Sequence, residues 1–170
     1  MPDLYAYVGP PELAREAAAA RSGFTVPDHE ALAALAAWAL AQPEWDGDRL
    51  TVTFVVLEDG ALRVAPRRSE HVDCARGAVV LAAGELTLRR TPTLAVAGAT
   101  NQSTGYCPEP DCWSSLRAAL GALEIPAPAE LTVAYTFRRC PRCGERNLVK
   151  EAWFVCDLCG ADLTEAWNFA

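Results

Sequence analysis

Two short segments constrain this 170-residue chain more than anything else in it. They are Cys140-Pro141-Arg142-Cys143-Gly144 and Cys156-Asp157-Leu158-Cys159-Gly160, with twelve residues between Cys143 and Cys156. In each, two cysteines stand one tight turn apart, so both thiolates can ligate the same ion. The glycine that follows lets the backbone turn without a Cβ clash. Asn147-Leu148-Val149 and Trp153-Phe154-Val155 are strand-like runs around Lys150-Glu151. A hairpin there brings the two segments together and closes a tetrahedral site of four cysteine thiolates. Four sulfur ligands leave no open position for a substrate, so the metal is expected to be structural. Free thiols, a redox-active pair and iron in place of zinc are the competing readings.

Over about residues 138–163 the pattern resembles the zinc-ribbon family, with knuckles similar to those of rubredoxins. The spacing is tighter than the usual range of about 15 to 20 residues, which changes hairpin length and not the ligand set. The resemblance implies one structural Zn2+ and a surface that recognises nucleic acid or protein. Arg138, Arg139, Arg142, Arg146 and Lys150 surround the first knuckle and are the candidate nucleic-acid contacts. Trp153, Phe154, Trp167 and Phe169 could supply stacking faces. The plainer reading packs those aromatics against the rest of the chain and leaves the arginines solvated, because the second knuckle is acidic (Asp157, Asp162, Glu165).

Charge points the same way. The net charge is −7, and residues 1–66 hold ten acids against four arginines, so the protein as a whole repels phosphate backbones. No run of about 18 apolar residues exists to span a membrane. The opening Met1-Pro2-Asp3-Leu4 lacks the basic and apolar segments of a secretory signal, so a cytoplasmic location is expected. Cysteines in an unsecreted chain favour metal ligation over disulfides. A hydrophobic fraction of 51% marks a globular protein, though much of it is alanine, which thins the core.

Residues 1–137 read as one α+β domain and 138–170 as a zinc ribbon docked on it. A strand over 4–8 stops at Gly9-Pro10-Pro11, and a helix runs from Pro11 to about Arg21, closed by Gly23. A second helix starts at Asp28, a capping residue, and ends at Gln42-Pro43, with Leu32, Leu35, Ala36, Ala39 and Leu40 on one face. Residues 50–57 are β-branched and aromatic, Glu58-Asp59-Gly60 turns, and 61–65 returns. Residues 71–84 resist assignment because Gly77 and Gly84 interrupt any helix. Strands over 85–90 and 93–99 joined at Thr91-Pro92, a helix holding Leu116, Leu120 and Leu123, and a strand over 131–137 complete the expectation. This order predicts a mostly antiparallel sheet with about three helices. The last strand enters Arg138-Arg139-Cys140 directly, so no linker frees the ribbon.

The remaining cysteines form a weaker constellation. His71 and Cys74 have ligand spacing, and Cys107 and Cys112 bracket a proline-rigid loop, so the four could hold a second metal. With a water in the fourth position such a site would be catalytic, with Asp73 or Glu109 moving the proton. The order of elements is loosely similar to that of the zinc-dependent nucleoside deaminases. Two departures stand against that: Asp73 replaces the required glutamate, and four residues rather than two separate Cys107 from Cys112. Buried structural cysteines are the ordinary alternative. The polar loop Asn101, Gln102, Ser103, Thr104 and Tyr106 could line a small-molecule pocket or simply be a hydrogen-bonded crossover. The expected function is therefore non-enzymatic recognition, most directly of a protein. A second-metal enzyme and a nucleic-acid module are the alternatives.

Overall fold

The computed structural model describes residues 3–90 and 92–169. Five antiparallel strands form the main sheet: β1 (Phe24–Val26), β2 (Arg49–Leu57), β3 (Leu62–Pro66), β4 (Val80–Arg89) and β5 (Ala95–Ala99), in the spatial order β1-β3-β2-β4-β5. Among the described residues, four short α-helices accompany it: α1 (Pro11–Ala17), α2 (Leu32–Leu40), α3 (His71–Cys74) and α4 (Trp113–Ala122). A separate hairpin, β6 (Thr136–Arg139) and β7 (Arg146–Val149), carries the first knuckle. The architecture is α+β with a mostly antiparallel sheet, as the residue pattern predicts.

Strand β2 is central because its sequence can be buried on both sides. Residues Val52, Thr53, Phe54, Val55 and Val56 are all within 1% of full burial, and each large apolar side chain so enclosed contributes about 1.5–3 kcal/mol. The cross-strand row Phe24, Val64, Phe54 faces α2, where Trp38 stacks on Phe24 at 6.4 Å. The opposite row, Thr25, Arg63 and Val55, faces α3. There Arg63 is 5% exposed and donates to the Cys74 carbonyl at 2.7 Å, the Thr25 hydroxyl at 2.5 Å and the Ser22 carbonyl at 3.2 Å.

Several element boundaries depart from the expectation. The opening strand reduces to one bridge between Tyr5 and Val80. The first helix ends at Ala17, with Ala18 as its cap, so Gly23 (φ +96°) turns the chain into β1 and does not close the helix. Asp28 does cap, accepting from the Ala31 amide at 3.2 Å, but it opens a 3-10 turn ahead of α2. Residues 71–84 contain α3 and half of β4. Residues 131–137 hold only a bridge from Val133 to Thr100 before β6 begins. The expected join at Thr91 lies outside the described residues.

Candidate metal centre

The hairpin positions the four cysteines through two near-identical turns. Cys140 N–H donates to the Glu145 carbonyl and Cys156 N–H to Ala161, both at 2.8 Å. Gly144 N–H returns to the Cys140 carbonyl and Gly160 N–H to Cys156, both at 2.9 Å. Gly144 (φ +79°) and Gly160 (φ +69°) occupy the left-handed region these turns require. Asn147 ties the halves together: its side-chain oxygen accepts from the Asp157 amide at 2.9 Å.

All four Sγ atoms lie within 4.8 Å of one another. Cys140 and Cys159, and likewise Cys143 and Cys156, are 3.6 Å apart. A tetrahedron with metal–sulfur bonds of about 2.3 Å has edges of about 3.8 Å, whereas a disulfide needs about 2.05 Å. The geometry fits an ion held by four thiolates. Backbone amides also point at the sulfurs. Those of Cys143 and Arg142 lower the Cys140 thiol; at Cys156 burial raises the thiol, but the amides of Cys159 and Leu158 together with the Cys143 and Cys140 sulfurs bring it down to about 6. Cys143 receives only the Glu145 amide. Hydrogen bonding among the four sulfurs raises the Cys143 thiol to about 12, against the lowering by that amide.

Among the described residues this is the one group of three or more His, Cys, Asp or Glu side chains placed to share an ion. His71, Cys74, Cys107 and Cys112 are not brought together. His71 Nε2 faces the Gly84 carbonyl at 2.9 Å, and burial lowers its basicity. Cys74 and Cys112 belong to the main core, and Cys107 to a separate cluster with Phe137 and Phe169. Burial pushes all three thiols up to about 12, the opposite of what a ligand needs. Of the proton-transfer candidates, Asp73 sits on α3 and Glu109 is engaged elsewhere by an arginine.

That arginine is Arg138, only 4% exposed. It binds both Glu109 carboxylate oxygens, at 2.6 and 3.2 Å, and the Glu165 carbonyl at 2.6 and 3.0 Å. Arg139 lies over the Phe169 ring at 5.2 Å, and Arg146 donates to the Thr104 carbonyl at 2.6 Å. Arg142 and Lys150 are exposed. Of the five cations expected to meet nucleic acid, then, Arg138 is enclosed and two more make internal contacts.

The polar loop is likewise occupied with its own structure. Asn101 is fully buried, donating to the Pro108 and Tyr135 carbonyls at 2.8 and 2.7 Å and accepting from the Tyr135 amide at 2.7 Å. Tyr106 is fully buried and donates to the Ala78 carbonyl at 2.8 Å. Ser103 is buried, while Gln102 and Thr104 face solvent. Trp167 completes the seat, donating from Nε1 to the Cys107 carbonyl at 2.8 Å and meeting Tyr5 edge-on at 5.5 Å. The Arg138–Glu109 clamp escaped sequence reasoning. Arg138 reads as a surface charge beside the knuckle, and only the fold brings Glu109 to it.

No family model matches this chain, and neither does any curated protein or solved structure.

Proposed function

We propose that this protein holds one structural Zn2+ on Cys140, Cys143, Cys156 and Cys159. The ribbon of residues 138–170, seated on an α+β body of residues 1–137, recognises a protein partner in the cytoplasm and catalyses no reaction. The four-sulfur arrangement carries this reading: the distances suit a closed tetrahedral site. Zinc supplies a fixed cross-link there and no open coordination position.

The partner is inferred from what the ribbon exposes. Trp153 and Leu158 are 70% and 69% exposed, and large apolar side chains of this kind serve as anchors at protein interfaces. The basic side of the ribbon is weakened for phosphate binding because Arg138 is committed to Glu109. Arg142 and Lys150 remain, on a chain of net charge −7. No helix among the described residues is long and apolar enough to cross a membrane.

Elemental analysis tests the metal: one zinc per chain is expected in wild type and in His71→Ala, and none in Cys156→Ser. Two zincs falling to one in His71→Ala would return the enzyme reading. Affinity purification after nuclease treatment tests the partner. A protein retained by wild type and by Arg142→Ser/Lys150→Ser, but lost from Trp153→Ser/Leu158→Ser, is expected. Salt-sensitive oligonucleotide binding abolished by Arg142→Ser/Lys150→Ser would overturn it in favour of nucleic acid.

A further inference from the structure

The seven cysteines differ sharply in exposure. Cys74, Cys107 and Cys112 are at most 4% exposed, and in the ribbon Cys140 and Cys156 are 1% and 2% exposed. Cys159 is half-buried, and Cys143 alone among the seven is exposed. The first cysteine of each knuckle thus faces inward and the second outward.

Hydrogen bonding sorts the ribbon sulfurs the same way. Cys140 and Cys156 each accept from two backbone amides, Cys143 from one. An amide that donates to a sulfur withdraws electron density and makes it a weaker nucleophile. Oxidation of cysteine follows thiolate character and access, and a bound ion holds its ligands as thiolates. Cys143 is therefore the ligand an oxidant reaches first. A second sulfur stands ready beside it: Cys156 Sγ, in the other knuckle, is 3.6 Å from Cys143 Sγ. Closing that gap to a disulfide takes a movement of about 1.5 Å.

We infer that Cys143 is a peroxide-reactive sulfur, and that its oxidation to a Cys143–Cys156 disulfide unloads the ribbon; the inference rests on the metal reading above. The Cys143 thiolate attacks hydrogen peroxide. An S–O bond forms as the O–O bond breaks, and hydroxide departs, leaving a sulfenic acid. The Cys156 thiolate then attacks that sulfur and expels a second hydroxide. Two electrons pass from the two sulfurs to one peroxide, and solvent protonates both hydroxides to water. Cys140 and Cys159 remain, and two thiolates are too few to close a four-sulfur site. Leu158, exposed between Cys156 and Cys159, then loses the ion that fixes its turn. Trp153 lies on the turn over 150–153, outside both knuckles, and is spared. Oxidation thereby acts on one of the two exposed apolar anchors and not the other.

The test treats the zinc-loaded full chain with hydrogen peroxide beside a chromogenic zinc chelator, then maps disulfides by mass spectrometry. Release of one zinc per chain is expected, with Cys143–Cys156 as the bridge and Cys74, Cys107 and Cys112 still reduced. Cys143→His keeps a ligand set that holds structural zinc and should release it about tenfold more slowly. Cys159→His should release it at the wild-type rate. Three outcomes overturn the inference while the metal reading stands: zinc that excess peroxide leaves bound, a wild-type bridge that omits Cys143 or Cys156, or Cys143→His releasing as fast as wild type. A chain that carries no zinc before oxidant is added overturns both.

Discussion

In the ribbon, four cysteine sulfurs gather at two tight turns, receive backbone N–H groups and approach one another to 3.6 Å. In the body, Cys74 and Cys112 are buried in the main core, and Cys107 packs beside Phe137 and Phe169. The residue type is the same and the physical outcome opposite. What separates the sets is where the partners come from. A knuckle supplies its own donors within five residues, so the site assembles locally. His71 and Cys74 share α3, whereas Cys107 and Cys112 come from the distant segment ahead of α4, and each side chain goes to its own nearest contact.

The comparison is broken most severely by removing a sulfur from the ribbon. Cys140→Ser should abolish stoichiometric metal binding, and with it a cross-link whose formation in comparable sites is worth about 10 kcal/mol or more. Loss of the ribbon's amide protection in hydrogen exchange, with the main sheet still protected, is the expected readout. The next largest effect comes from the clamp between the two regions. Arg138→Met leaves the Glu109 carboxylate, 26% exposed, without its cation, and should cost about 3 kcal/mol in urea denaturation while metal content stays at one.

Smaller changes sharpen the contrast from the body's side. Cys112→Ala should cost about 1–2 kcal/mol and leave metal stoichiometry untouched, whereas the equivalent ribbon change removes the ion. His71 gives a pH signature. Burial holds its folded-state basicity below the ordinary value near 6.5, so the unfolded chain binds the extra proton first. Its contribution is complete above about pH 6.5 and is lost as pH falls below that. His71→Gln, which can still donate to the Gly84 carbonyl, should flatten the stability profile below pH 6.5 by at most one proton's worth, with both proteins metal-saturated.

What the sequence made legible follows the same division between local and distant causes. The knuckles, the turn at Glu58-Asp59-Gly60 and the capping role of Asp28 are determined within a few residues, and each stands where the pattern puts it. Gly84 was opaque for the converse reason. It looks like a breaker, yet it lies inside β4, because an added Cβ would come within 1.9 Å of the Thr100 carbonyl oxygen from a distant segment. Asn101 reads as a candidate ligand residue, but its three hydrogen bonds to Pro108 and Tyr135 make it a cross-brace. Strand β1 was missed because three residues carry too little periodicity to register. The strand over 131–137 was overextended because residues that are extended are not thereby paired.

The contact between Tyr5 and Trp167 has a consequence for the order of events during synthesis. A ribosome delivers the chain from its amino end, so the strands of the main sheet emerge well before the segment that seals them to the ribbon. Trp167 and Phe169 follow the last of the four cysteines, Cys159, in the chain. The four-thiol cluster packs with residues up to Leu163, so its assembly does not depend on the seal that Trp167 and Phe169 make. Were the tail to detach, it would bare the Tyr5 ring and the Cys107 carbonyl that Trp167 covers, the kind of surface that chaperones and proteases recognise.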